Sequence, residues 1–535
     1  MEETCNSISR RTFLAGGAIL AATVAGGSLF GCSGSTGSSS ASEESSASND
    51  YKVLRVGSGA SRINAQLDVA DYATYNYFGL AAKGIGECLF HLDDTLTPEY
   101  WLCTDLSTTD YATWTLKLRD DVTFQNGNKL TAKAVKRCLE RTLKDFALAA
   151  ESLTISSMEA VDDTTLKMTL PSAQPGLMST LCDTMFMIYD FPEGDDVDFN
   201  KDSSYTGPYM IEATETDVQQ TLMRFEDYWR GKPLIDEIDY IMCEDLTASL
   251  KAGDIDLAQS TAIADCPEFE SSSEFVLSAQ AVPRGEQFWF NDNKVVASDP
   301  AIRTAVNLCL DRDAIVKDCY YGMAAPTYGI YPDYLSFGGT DGLNLIVDEF
   351  NPSKAAQVLA DAGWAAGPDG VLMKDGNRAE LNVVSYADKS LLAVGDMLAS
   401  EMKKIGVVVN VTGTKDTRTY ETEDNFDMIL ITYGMCMIGN PYYWNNTMVA
   451  STASSNTGHY NNPEVDKLIA DMNAEPDTAK RDKICKEIQQ HMIDDQHWIV
   501  FAHKMLWSVT NDKVENFKQS PCQYYLITNE LDMKS

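Results

Sequence analysis

From Tyr51 onward the chain alternates strand-like and helix-like segments, and it shows no fixed-period repeat. That alternation fits an α/β protein of several lobes and argues against a solenoid or a propeller. Lys52 to Gly57 reads as a first strand ending at a glycine turn. Trp114 to Arg119 and Thr165 to Leu170 alternate inward and outward, as half-buried strands do, and Pro171 stops the second. Asn126-Gly127-Asn128 marks a turn, and Thr131 is placed to cap a helix running to Leu143. The periodicity predicts helices over Ala301–Tyr320, Pro352–Ala362, Leu391–Ile405, Pro463–Met472 and Thr478–Ile493. It predicts strands over Val407–Val411 and Trp498–Ala502. About 485 residues follow Asp50, enough for two or three domains.

The N-terminal segment carries an export address. Ser9-Arg10-Arg11-Thr12-Phe13-Leu14 precedes a Gly/Ala-rich apolar run from Ala15 to Phe30. Paired arginines before such a run read as a twin-arginine signal peptide over residues 1–31. The run is too short and glycine-rich for a comfortable membrane span, which takes about 20 strongly apolar residues. Leu29-Phe30-Gly31-Cys32 resembles a lipobox, which makes Cys32 the expected lipidation site and a lipid anchor on the extracytoplasmic face of the cell membrane the expected location. The other reading of the run is a short uncleaved anchor. Residues 32–50 are nearly all small and polar and read as a flexible tether, with no apolar groups large enough to offset the entropy of ordering them.

The formal net charge of −37 repels nucleic acid and anionic headgroups, so no nucleic-acid partner is expected. Apart from Cys5 in the leader and Cys32, eleven cysteines are scattered through the body without a C-x-x-C pair. They read as buried small hydrophobes rather than as a disulfide framework or a zinc site.

Several motifs then fall in one order. Gly86 to Asp93 is similar to "EGLF-x-LD", and Leu96-Thr97-Pro98-Glu99 follows. Trp114 to Asp120 with Val122 to Gly127 and Leu130-Thr131-Ala132 is similar to "YTFKLRDGVKFHDGTPLTA". Gly207-Pro208-Tyr209, Tyr228 to Pro233 and Gly253 to Leu257 resemble "GTGPY", "NPDYWGGKP" and "SGEIDIA". Asp299 to Ile315 resembles "DVRVRQALNYAIDREAI", and His459 to Asp466 resembles "GYSNPEVDELL". Together, from about Gly84 to His503, these resemble the substrate-binding lipoproteins of ABC importers for peptides, dipeptides and nickel, the solute-binding family 5. The resemblance implies an α/β, periplasmic-binding-protein type II fold, three-lobed (cluster C), with a hinged ligand cleft. It implies a lobe I of residues 51–93 with 199–283 and 505–535, an inserted lobe II of 94–198, and a lobe III of 284–504. It also implies a monomer that does no chemistry, needs no cofactor, and hands its ligand to membrane permease subunits supplied by other chains.

The family's peptide binders hold the α-ammonium with an aspartate in a "W-x-A-D-Y-x-D/E-P" segment. Here the matching stretch is Tyr433 to Pro441, and Met437 stands where that aspartate is expected. A buried ammonium without a countercharge is expensive. Either Glu87 serves instead, by likeness to a family glutamate in the cleft, or the ligand lacks a free amino terminus; Glu87 also reads as a solvated strand-end acid. Met435, Cys436 and Met437, flanked by Tyr433 and Trp444, would make a soft, apolar wall for a peptide-like or uncharged organic ligand, or contact a metal chelate or haem-like group. The same stretch also reads as a buried strand. Trp289 or Phe290 would stack on ligand, with Asn291 as a hydrogen-bonding neighbour. His491 with Asp494 and Asp495 reads as a solvated helix face, and no H-E-x-x-H or nucleophile elbow is present. A surface sensor and a surface hydrolase remain as other classes on the same scaffold.

Overall fold

The first alternating segment forms strand β1 (Val53–Ser58), with Leu54 and Val56 turned into the core. The computed structural model describes residues 51–534 apart from 60–62, 64 and 71–75; the leader, Cys32 and the tether lie outside these residues. A four-stranded antiparallel sheet follows, made of β2 (Cys103–Thr108), β3 (Thr113–Leu118), β4 (Ser157–Ala160) and β5 (Thr165–Thr169), in the order β2-β3-β5-β4. In β3 the residues Trp114, Leu116 and Leu118 point inward while Thr113, Thr115 and Lys117 do not, the period of two that the sequence shows. Helix α1 (Ala132–Asp145) covers this sheet. Its cap is Thr131, whose hydroxyl accepts from the Ala134 N–H.

The chain then builds one half of a larger, eleven-stranded sheet with β6 (Tyr209–Glu215), β7 (Gln219–Arg224), β8 (Glu237–Met242) and β9 (Leu257–Gln259). β10 (Phe275–Phe290) crosses to the other half. There β11 (Ala324–Pro326), β12 (Glu380–Tyr386), β13 (Val408–Thr414) and β14 (Met428–Gly434) are added, and β15 (Trp498–Asn511) returns along β10. The order is β13-β12-β14-β10-β15-β9-β1-β8-β7-β6, with β11 paired to β15. β15 runs well past the expected end at Ala502. Its polar residues Ser508 and Thr510 are buried against the first half of β10, so they continue the strand where the sequence pattern pointed to a stop.

The β10–β15 pair is the only antiparallel ribbon that spans both halves of the large sheet among the described residues. Its register slips between Ala281 and Gly285, where β10 inserts Val282, Pro283 and Arg284. A bulge of this kind bends and twists a strand, and Pro283 donates nothing to the ladder.

The long helix expected over Ala301–Tyr320 is two helices, α2 (Pro300–Leu308) and α3 (Arg312–Tyr320). Asp311 ends the run because its carboxylate accepts from the Ala314 N–H and starts a new helix. Helix α4 (Lys389–Lys404) is capped by Asp388 and closed by Gly406 at φ 81°. Helices α5 (Pro463–Ala474) and α6 (Thr478–Asp495) follow the expected segments, each a few residues longer. All eleven body cysteines are free and buried.

Candidate functional site

On β10, Gly285, Gln287 and Trp289 share one face of the sheet, and Phe288 and Phe290 share the other, where they join an apolar core with α2, α3 and α4. The first face looks toward Tyr433, the 435–449 segment and the loop around Tyr334. Trp289 meets Tyr433 at 6.0 Å between ring centroids, Tyr433 meets Trp444 at 5.4 Å, and Trp444 meets Trp498 at 6.0 Å. Met435 lies on Gly285: a Cβ there would come within 3.0 Å of the methionine methyl. Met435 and Cys436 are buried, and Met437 is half-buried with its sulfur against Gly434. Met435 and Tyr433 thus stand on the face of Gly285 and Trp289, whereas Met437 lies against Gly434, which belongs to the other face.

This face holds polar atoms that none of the described residues answers. Gln287 is fully buried, and neither its amide oxygen nor its nitrogen has a hydrogen-bond partner. The indole N–H groups of Trp289 and Trp444 and the hydroxyl of Tyr334 are likewise buried and unpartnered among the described residues. Each such group costs about 1–3 kcal/mol if left unsatisfied. Folded proteins rarely carry several together, which makes this cluster the candidate site. His503 stands opposite Gly285 on the same face, its ring against the Arg284 carbonyl. Burial keeps it neutral, with its pKa lowered to about 4.

The loop carrying the sulfur residues is pressed onto another part of the body. Gly439, at φ +71°, approaches the Leu96 carbonyl so closely that any Cβ would collide with it, and the Tyr442 ring lies against Gly176. Those contacts hold this loop against the segments around Leu96 and Gly176.

Glu87 and Asn291 are engaged elsewhere. Glu87 accepts from the Trp101 indole at 2.7 Å, the Tyr228 hydroxyl at 2.7 Å and the Trp229 indole at 3.1 Å. Burial raises its pKa, and those same donors oppose the rise. The two indoles carry cations on their faces, Arg230 over Trp101 and Arg119 over Trp229. This arrangement ties Glu87 to the segments carrying Trp101 and Tyr228–Trp229. Asn291 donates to Asp424 at 2.6 Å and to the Phe426 carbonyl at 3.0 Å, and its oxygen accepts from Asn293, so its amide is used in fixing the end of β10. A hollow of about 410 Å³ borders Glu87, with His91 stacked between Trp101 and Tyr525 at 4.1 and 3.9 Å. There the Trp101 indole and the Glu87 carboxylate are paired with each other, whereas the indoles of Trp289 and Trp444 have no partner among the described residues.

Gln287, Tyr334, Arg284 and His503 were not singled out by sequence reasoning. The one available signal was Gln287, a polar residue at an inward position of an otherwise apolar run, Phe288-Trp289-Phe290. No group of three histidine, cysteine or acidic side chains placed to hold a metal ion is found among the described residues. No described helix is long and apolar enough to cross a membrane.

A mixed sheet in two halves, joined by a bulged two-strand ribbon with an aromatic face beside it, is the architecture of a type II binding protein that captures a small molecule. The sequence matches the model "Bacterial extracellular solute-binding proteins, family 5 Middle" over residues 97–480, and the chain belongs to that family. It is similar to a nickel-binding protein of Staphylococcus aureus, 28% identical over 452 residues, covering 83% of this chain and 88% of the relative. It is also similar to a glutathione-binding protein of Pectobacterium atrosepticum, 25% identical over 433 residues and covering 77% and 81%. A crystal structure described as a nickel ABC transporter from Bacillus halodurans superposes with a TM-score of 0.80 at 26% identity, over 90% of this chain and all of that one. The chain's work is accordingly ligand capture for an ABC importer. Its relatives are binding proteins, and members of the family act with ABC transporter permeases.

Proposed function

We propose that the chain is a lipid-anchored receptor that closes its aromatic face over a small organic ligand and presents it to a membrane permease. In this reading Cys32 carries the anchor, the twin-arginine leader directs export, and residues 33–50 hold the body off the membrane. The hinge is the bulge at Val282–Arg284, between lobe I (51–93, 199–283 and 505–535) and lobe III (284–504), with 94–198 as an inserted lobe. Trp289, Tyr433, Met435, Cys436 and Trp444 wall the ligand, and Met437 takes the place of an ammonium-binding acid, so the ligand is peptide-like without a free amino terminus or is not a peptide. The observation that carries this reading is the fully buried Gln287 amide, unpartnered at both atoms beside two unpartnered indoles.

A second reading follows from the sulfur-rich wall and the nickel-binding relative: the ligand is a metal held inside an organic chelate. With no three-residue coordinating cluster among the described residues, a bare ion would find no protein shell here. Native mass spectrometry of the protein as purified tests both readings by the mass and isotope pattern of what is retained. Trp289→Ala and Trp444→Ala are each expected to lose most of that retained mass while keeping the parent's circular dichroism. Undiminished retention in both variants would place the ligand elsewhere.

A further inference from the structure

The three central strands sort ionised groups from neutral ones. Gly285, Gln287 and Trp289 of β10, Tyr433 of β14, and Trp498 and His503 of β15 are paired in register and share one face. The remaining places on that face, Ile429, Ile431 and Val500, are aliphatic. Arg284, Glu286 and Lys504 alternate onto the other face. There the Glu286 carboxylate accepts from the Tyr320 hydroxyl at 3.0 Å and the Thr432 hydroxyl at 2.8 Å. These strands therefore give the aromatic face no ionised side chain, because burial keeps His503 neutral, with its pKa lowered to about 4. The charges that act on Tyr433 from the turn of helix Arg418–Thr422, Glu421 and Arg418, are of opposite sign.

What this face offers is neutral hydrogen bonding. Gln287 is fully buried with its amide oxygen and nitrogen both unpartnered, and the Trp289 N–H on the same face is unpartnered too, among the described residues. The His503 ring, 4% exposed, lies against the Arg284 carbonyl, and neither ring nitrogen makes a hydrogen bond of good geometry. That carbonyl can engage one nitrogen at most, which leaves the other unanswered. A carboxamide sets a donor and an acceptor side by side in one plane. Its complement is another amide edge, a C=O next to an N–H. An ion brought to the same place would lose its hydration with no countercharge to replace it. We infer that Gln287, supported by His503, is the specificity group of the candidate site, and that the ligand presents it with an uncharged amide edge. A cyclic dipeptide, a lactam or a terminal carboxamide carries such an edge, and an aromatic or apolar body beside it would lie against Trp289 and Tyr433. This rests on the capture function proposed above and adds the charge state and the hydrogen-bonding group that the site selects.

The test uses the purified full chain, stripped by unfolding and refolding, and titrates matched phenylalanine probes by calorimetry at pH 6. Cyclo(glycyl-phenylalanine) and N-acetylphenylalaninamide are neutral and carry the amide edge. N-acetylphenylalanine methyl ester is neutral without it, N-acetylphenylalanine is an anion, and phenylalaninamide is a cation. The two neutral amides are expected to bind about tenfold or more tightly than the ester and than either ion, the scale of one buried hydrogen-bonding group left unsatisfied. Gln287→Leu and His503→Phe should each erase most of that preference. With no ligand added, Gln287→Leu should melt at or above the parent temperature, because it removes two unanswered polar atoms. A clearly lower melting temperature would mean that the amide is answered within the protein, and would overturn the assignment. The ester or an ion binding as well as the amides, or a preference that survives either substitution, would overturn it and leave the capture function standing. Failure of both neutral amides to bind would overturn the inference as well. If in addition the unstripped protein retained no small molecule, the capture function itself would fall.

Discussion

Asp183 caps the short 3-10 turn Thr184–Phe186 by accepting the Met185 N–H at 3.1 Å. Burial lifts its pKa from 3.8 to about 6, against the pull of that hydrogen bond. A carboxyl with a raised folded-state pKa binds its proton more tightly in the native state. The stability it contributes is full below about pH 4 and is lost as the pH climbs through 6. Two units correspond to about 3 kcal/mol at most. Asp183→Asn keeps an acceptor for the cap but cannot titrate, so guanidinium melts at pH 4 and pH 7 should differ less in the variant than in the parent; equal differences would contradict the assignment. At this scale the sequence was informative about bulk and silent about satisfaction. Trp289, Tyr433, Met435, Cys436 and Trp444 stand out as aromatic and sulfur side chains crowded into two short segments, and the fold brings those segments together. Glu87 and Asn291 looked equally available. Trp101 is 14 residues from Glu87, and Tyr228, Trp229 and Asp424 lie more than 130 residues from the groups they hold, so only the three-dimensional arrangement shows that Glu87 and Asn291 are taken.

At the scale of elements, caps and alternation were legible, and breaks and continuations were less so. Thr131 and the Trp114 strand could be read locally, because the groups that decide them are within four residues. The interruption between α2 and α3 was missed although Asp311 carries the signal, since the apolar periodicity continues across it. The extension of β15 beyond Ala502 was missed because it depends on pairing with β10 rather than on its own pattern. Asp311→Ala removes the side-chain acceptor for the Ala314 N–H. It should lower the unfolding free energy by about 1 kcal/mol, read by denaturant melts, with probe binding to the correctly folded fraction unchanged. A loss near zero would mean that the break between the helices is held by the packing of Cys309 and Leu310 instead.

For the whole molecule, the order of the eleven-stranded sheet could not be derived from local pattern. β1 pairs with β8 and β9, and β10 pairs with β14 and β15, across long stretches of intervening chain. The family motifs supplied the type II fold class that periodicity could not, and the strand order only the structure shows. The proposed capture has one moving part: two halves of a sheet joined at the register slip of Val282–Arg284, with the Tyr433–Trp444 segment proposed as the surface that closes. Such a hinge is a two-state element that a ligand biases only through its unequal affinity for the two states. In the proposed function the unanswered Gln287 amide and the Trp289 and Trp444 indoles supply that inequality. The most direct test is small-angle X-ray scattering on the purified chain before and after its retained small molecules are stripped by unfolding and refolding. The account predicts a larger radius of gyration after stripping, and a return to the smaller value when the stripped extract is added back. Identical scattering curves in all three states would contradict it.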